Sequence, residues 1–136
     1  MQLITRITGI TSFIFAIGAL LIASSLPAVA KSSSYQRTCR DITINGNVLS
    51  ALCKRGNGSE LRSSITLKAI ENIDGALMVR DPKKSASFHL TCIDSSVDQA
   101  VLASVCKKRN GQYQSTNTSI NGIENIDGVL NYTSGP

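Results

Sequence analysis

A chain of 136 residues carries 14 basic and 9 acidic side chains, a net charge of +5, and only 4% of it is aromatic, with no tryptophan. That length suits one domain of modest size and is short for a large catalytic fold. Scattered, mildly basic charge with few aromatics argues against a nucleic-acid binder, which shows a dense cationic stripe and stacking rings.

In chain order, the first segment is MQLITRITGITSFIFAIGALLIASSLPAVA, with Arg6 as its only charge, an apolar run from about Ile10 to Ile22 and Ala28-Val29-Ala30 at its end. A short cationic leader, an apolar core and a small-x-small site make a cleaved secretory signal peptide. The core falls short of the roughly 20 residues that a membrane span needs. Residues 1–30 are therefore expected to be removed. The mature chain then starts at Lys31, keeps all basic residues but Arg6 and every acidic one, and has a net charge of +4.

Export turns the four cysteines into a disulfide framework rather than a metal site. Cys39/Cys53 and Cys92/Cys106 are each Cys-x13-Cys, unlike the close CxxC of zinc sites. Three connectivities are open on count alone. An internal repeat favours Cys39–Cys53 with Cys92–Cys106, since duplicated units carry the same local bond. Shifted by 53 positions, residues 34–77 match residues 87–130 at 17 of 44 positions. The chain is a tandem duplication, with repeats at 34–79 and 87–132 joined by RDPKKSA, residues 80–86, which reads as a hinge or linker. Ser64-Ile65 aligns better with Ser119-Ile120, which predicts a local two-residue slip between the copies.

Within each copy the signals are those of strands. NVLSALCKRGNGS and AVLASVCKKRNGQ each give a strand that ends in a charged Asn-Gly turn. A helix over Ala100–Cys106 is the competing reading, weakened by its valines and bounding turns. IENIDGALMV and IENIDGVLNY place Asp-Gly between two apolar segments, a strong hairpin signal. The prediction is a mostly β chain whose two copies, each too small to bury much surface alone, pack as one pseudo-symmetric unit. Six identical residues, IENIDG, recur at 70–75 and 123–128. A turn explains Asp-Gly, and the core explains the isoleucines. Neither explains the repeated Glu and Asn, which marks them as binding candidates.

TCRDITINGNVLSALCKRGNG, SSITLKAIENIDGALMV, TCIDSSVDQAVLASVCKKRNGQY and IENIDGVLNY together resemble the cyanovirin-N family of lectins, over Ser34 to Tyr132. The resemblance implies an all-β, pseudo-two-fold structure of two intertwined halves, each a three-stranded sheet plus a β-hairpin. It implies a secreted, non-enzymatic protein that binds α-linked mannose, especially Manα1-2Man termini of high-mannose glycans and glycoproteins, without metal or other cofactor. By that pattern the first pocket joins Thr38, Lys54, Arg55 and Gly56 to Glu124, Asn125, Ile126 and Asp127. The second joins Thr91, Lys107, Lys108 and Arg109 to Glu71, Asn72 and Asp74. Where the family often has Gln-Thr and an acidic residue in the first pocket, this chain has Arg37-Thr38 and Lys54; Leu90-Thr91 replaces Glu-Thr in the second. The second is favoured on side-chain count because it holds Arg109.

The residues agree with such a role. Carboxylates, asparagine amides and backbone groups on a rigid turn match the paired donors and acceptors of sugar hydroxyls, with lysine and arginine as further donors. The competing functions are a glycosidase built on a pair such as Glu71 and Asp74, for which the chain is short, and a disulfide-stapled defence or inhibitor protein acting on anionic surfaces through its charge. His89, the only histidine, faces Gln36 in the other copy, so no duplicated role attaches to it. Asn57, Asn117 and Asn131 stand in N-glycosylation sequons. The longer linker relaxes hinge strain and predicts a monomer over a domain-swapped dimer.

Overall fold

The computed structural model describes residues 30–136. The predicted signal peptide lies outside the described residues, save Ala30. Ten strands follow: β1 (Cys39–Asn45), β2 (Val48–Lys54), β3 (Glu60–Thr66), β4 (Ile70–Ile73), β5 (Ala76–Val79), β6 (Cys92–Asp98), β7 (Val101–Lys107), β8 (Tyr113–Ser119), β9 (Ile123–Ile126) and β10 (Val129–Tyr132). A single 3₁₀ turn, Tyr35–Arg37 or Phe88–Leu90, precedes each half's first long strand. The Ala100–Cys106 stretch is thus strand from Val101 onward, not helix.

Two antiparallel sheets, β1-β2-β3 and β6-β7-β8, and two hairpins, β4-β5 and β9-β10, make the all-β architecture. Strand alternation sorts the side chains. Leu49, Ala51 and Cys53 of β2 point into the core, as do Leu102, Ser104 and Cys106 of β7, while Lys54 and Lys107 stay outside. Tyr35 and Phe88, fully buried, fill matching places. The disulfides join Cys39 to Cys53 and Cys92 to Cys106, each pair opposed across a strand ladder.

The two-residue slip does not occur. Val48 lies opposite Thr66 and Val101 opposite Ser119, so β2-β3 and β7-β8 keep the 53-residue offset to their ends. Leu67 and Ile120, both buried, are the true counterparts. A shared Ser-Ile dipeptide was weaker information than a continuous ladder, whose register the buried face holds.

Each hairpin packs on the sheet of the other copy. Leu130 N donates to Ser63 Oγ at 2.9 Å, and Leu77 N to Thr116 Oγ1 at 3.1 Å. Residues 80–86 are a pinned corner rather than a slack tether. Arg80 N donates to Ala69 O, Ala69 N to Lys84 O and Ala86 N to Leu67 O, each at 2.8 Å. Only Asp81, Pro82 and Lys83 stand clear of that pairing, in a turn closed by Lys84 N to Asp81 O at 3.1 Å. Gly122, the counterpart of Ala69, is held in the same way: it donates to Lys31 O at 2.7 Å and accepts from Thr133 N at 2.8 Å.

Candidate functional site

Each IENIDG segment is a strand, β4 or β9, running into a two-residue turn. Asp74 and Gly75 have φ of 50° and 91°, Asp127 and Gly128 of 49° and 92°, the paired positive values of a type I′ hairpin turn. The glycines are required twice over. A Cβ on Gly75 falls 2.6 Å from Lys108 Cγ, and one on Gly128 falls 2.7 Å from Arg55 Cγ. The stems of Lys108 and Arg55 therefore lie across the turn of the opposite copy.

Asparagine locks the hairpin there. Asn72 Nδ2 donates to Thr91 Oγ1 at 2.8 Å and to Lys107 O at 3.0 Å, while its Oδ1 accepts from Gly75 N at 2.7 Å. Asn125 repeats this with Thr38 Oγ1 and Lys54 O, both at 2.9 Å, and Gly128 N at 2.7 Å. Asp74 Oδ1 then accepts from Arg109 N, and Asp127 Oδ1 from Gly56 N, each at 2.8 Å. The repeated asparagines, expected to meet a ligand, spend both amide hydrogens and the oxygen on the protein itself.

At the second end these contacts shape a cleft of about 290 Å³ lined by Asn72, Ile73, Asp74, Thr91 and Lys107 to Arg109. Six of the seven residues predicted for that pocket are therefore together. Glu71, one residue before Asn72 on β4, is not among the lining residues. Ile73 lines the cleft and was missed, although its repeat counterpart Ile126 was named; applying the repeat evenly would have found it. At the first end Thr38, Lys54 and Gly56 meet Asn125 and Asp127 through the same bonds, the Arg55 stem lies against Gly128, and Ile126 is exposed. Glu124 is bonded elsewhere. Its carboxylate takes the Ser34 hydroxyl at 3.4 Å. The Thr133 hydroxyl above all, then the Lys31 charge and Ser34, hold its pKa below the usual glutamate range.

Asn57 makes its own turn, accepting from Ser59 N at 2.9 Å, as Asn110 does from Gln112 N at 2.9 Å. Asn117 and Asn131 are exposed on strands. His89 is half-buried edge-on to Phe88, with ring centroids 5.8 Å apart. Among the described residues no cluster of three or more His, Cys, Asp or Glu is placed to hold a metal.

A strand-swapped pair of disulfide-closed sheets with a hairpin clamped at each end defines a class of fold, and the comparisons agree on it. The CVNH domain family model matches residues 35–131, and the chain belongs to that family. Among solved structures it is similar to microvirin, described as a microvirin:mannobiose complex, at 28% identity and a TM-score of 0.58, over 74% of this chain and 98% of that one. It is also similar to the CVNH protein of T. borchii, at 23% identity and a TM-score of 0.63, over 73% of this chain and 98% of that one. A third likeness is to the MoCVNH-LysM module of the rice blast fungus Magnaporthe oryzae, at 16% identity and a TM-score of 0.64, over 75% and 98% respectively.

Proposed function

We propose that this protein is a secreted, non-catalytic lectin that recognises α-linked mannose, with Manα1-2Man termini of high-mannose glycans as its ligand, by hydrogen bonds and without a metal. The observation that carries the reading is the second cleft. Its walls are fixed by Asn72, which leaves the other polar groups free to meet a ligand. Asp74 keeps its second carboxylate oxygen as an acceptor. The Thr91 hydroxyl, which accepts from Asn72, keeps its hydrogen to donate. Lys107, Lys108 and Arg109 supply cationic donors. Neighbouring hydroxyls of a pyranose need such a mixed set in fixed geometry. The likeness to microvirin, whose complex holds mannobiose, supports a mannose disaccharide as the occupant.

The protein acts as a monomer in this reading. Its hairpins are docked within one chain, and the 80–86 corner is closed by hydrogen bonds. Export follows from the leader, and the mature chain is expected to begin at Lys31, which N-terminal sequencing of secreted protein checks.

Calorimetric titration of the oxidised protein with Manα1-2Man tests the reading, with Arg109→Ala as the paired variant. Arg109 is the better choice than Asn72, whose loss would also loosen the hairpin. Binding is expected, weakened roughly tenfold at the second cleft by Arg109→Ala, the size of one charge-assisted hydrogen bond. No heat at millimolar disaccharide with the fold intact would sink the mannose assignment.

A further inference from the structure

The outer faces of the two sheets differ far more than their cores. On the first sheet Arg40 lies opposite Leu52, which lies opposite Arg62, and Lys54 lies opposite Glu60. The same places on the second sheet hold Ile93, Val105 and Ser115, with Lys107 opposite Tyr113. Arg37 is matched by Leu90, which is 74% exposed. A cationic surface at one end thus corresponds to a largely apolar one at the other.

On the cationic side a cavity of about 230 Å³ opens, lined by Arg37, Thr38, Arg40, Leu52, Lys54 and Glu60 among others. Arg40 reaches over β2 to Glu60, Nη2 to Oε2 at 2.9 Å, and its Nη1 lies 3.1 Å from Asp41 Oδ2. Glu60, the one carboxylate in the lining, is therefore already neutralised. Among the described residues Arg37 and Lys54 have no carboxylate within the 4.0 Å of an ion pair, and both are exposed. Thr38 and Lys54 are also the two residues that Asn125 grips, through the Thr38 hydroxyl and the Lys54 carbonyl. The cavity thus shares Thr38 and Lys54 with the place predicted for the first cleft. The other acid at that cleft, Asp127, has one oxygen capped by Gly56 N.

We propose that the first end binds an acidic saccharide. A neutral ring sits at the cleft formed by Asn125, Ile126 and Asp127, and a phosphate, sulfate or carboxylate substituent enters the cavity between Arg37 and Lys54. Planar guanidinium and ammonium donors on either side of a threonine hydroxyl suit a tetrahedral or planar oxyanion. The second end, with Leu90, Ile93 and Tyr113 in those places, has no such preference. This inference rests on the carbohydrate reading of the clefts and adds a ligand class to one of them.

The test compares Manα1-2Man, the same disaccharide carrying a 6-phosphate, and inorganic phosphate, titrated into the oxidised protein and followed by calorimetry and amide NMR shifts. The phosphorylated sugar is expected to bind about tenfold more tightly than the neutral one at low salt, the yield of two exposed cations. That advantage should shrink in half-molar salt and move amides of Thr38, Lys54 and Arg55. Arg37→Gln and Lys54→Gln should each cut the affinity ratio to about threefold, and the two combined should bring it close to one. Leu90→Gln, at the matching place of the other end, should leave the ratio as it is. Neutral disaccharide bound with no advantage for the phosphate overturns the inference while the lectin reading stands. An advantage that survives both first-end variants overturns the assigned place. Inorganic phosphate displacing the phosphorylated sugar at equal concentration overturns it too, as an anion site without sugar. If neither sugar binds, the carbohydrate reading falls and the inference falls with it.

Discussion

Arg109 stands at one end of the molecule where Gly56 stands at the other, and Leu90, Ile93 and Tyr113 stand opposite Arg37, Arg40 and Glu60. Between those differences lie the same clamp, the same type I′ turn and the same backbone bonds to within about a tenth of an ångström. In a duplicated chain, then, identity between the copies reports what holds the hairpins, and divergence reports what the ends present to a ligand. The residues that first draw the eye by recurring, Asn72 and Asn125, are mainly scaffold. The ones that drifted set the chemistry.

The sharpest way to break that comparison is to remove equivalent supports. Each disulfide spans a sequence separation of 14, and a loop of that size contributes about 3 kcal/mol in the chain-entropy model. Cys39→Ser with Cys53→Ser, and separately Cys92→Ser with Cys106→Ser, should each lower stability by about that much in urea unfolding. A cost confined to one pair would show that the halves are not energetically alike. Next come Asn72→Ala and Asn125→Ala, each deleting three hydrogen bonds. Much of that network is reached by water, so the expected loss is about 2 kcal/mol apiece. Loss of stability at both ends, with loss of ligand only at the end altered, would separate clamp from recognition.

Much of this was legible beforehand, and the failures have physical reasons. Asp-Gly between apolar runs, the repeated Cys-x13-Cys spacing and alternating strands lead to two sheets with a hairpin each. One-dimensional similarity misleads where ladder register decides, at Ser64-Ile65 against Ser119-Ile120. Glu71 is not among the residues that line the second cleft, and the Glu124 carboxylate accepts from the Ser34 hydroxyl, a partner that only the folded chain brings to it. Whether an asparagine amide meets a sugar or its own chain is not written in its identity. Thr91 and the Lys107 carbonyl come to Asn72 only when the other copy folds against it. Arg37, Arg40 and Glu60 gave no local pattern, because they become neighbours only across three strands.

Tyr35 and Phe88 give a smaller contrast. Tyr35 is buried, and its hydroxyl donates to Gln99 O at 2.7 Å, a bond for which Phe88 has no atom. Tyr35→Phe should cost about 1 kcal/mol at neutral pH, the net value of one such bond. Burial, with a lesser push from Tyr132, raises the Tyr35 phenol pKa well above its ordinary range. The contribution tied to that shift is fully present below about pH 10, where the unfolded phenol is still protonated. It is lost as pH rises beyond that, because the unfolded chain sheds a proton that the fold retains. Wild type should therefore weaken more steeply than Tyr35→Phe in alkaline unfolding series. Tyr132, also raised by burial, should leave some slope in the variant.

The slightest effect expected is a gain. Ala69 sits at φ 69° and its counterpart Gly122 at φ 80°, both holding the strand pair that closes a hairpin base. Gly122 has no choice, since a Cβ there lies 2.5 Å from Gly135 O and 2.6 Å from Ser134 O. Ala69 bears the left-handed conformation instead, at a cost of roughly 1–2 kcal/mol for an L-residue. Ala69→Gly relieves that strain but returns about 0.5–1 kcal/mol of backbone freedom to the unfolded chain. The net should be near 0.5 kcal/mol of added stability, a rise in Tm of roughly 2–4 °C for a domain of this size. A fall in Tm would mean that the corner at 80–86 holds Ala69 without strain, and that the two hairpin bases differ in more than the segments that bond Gly122.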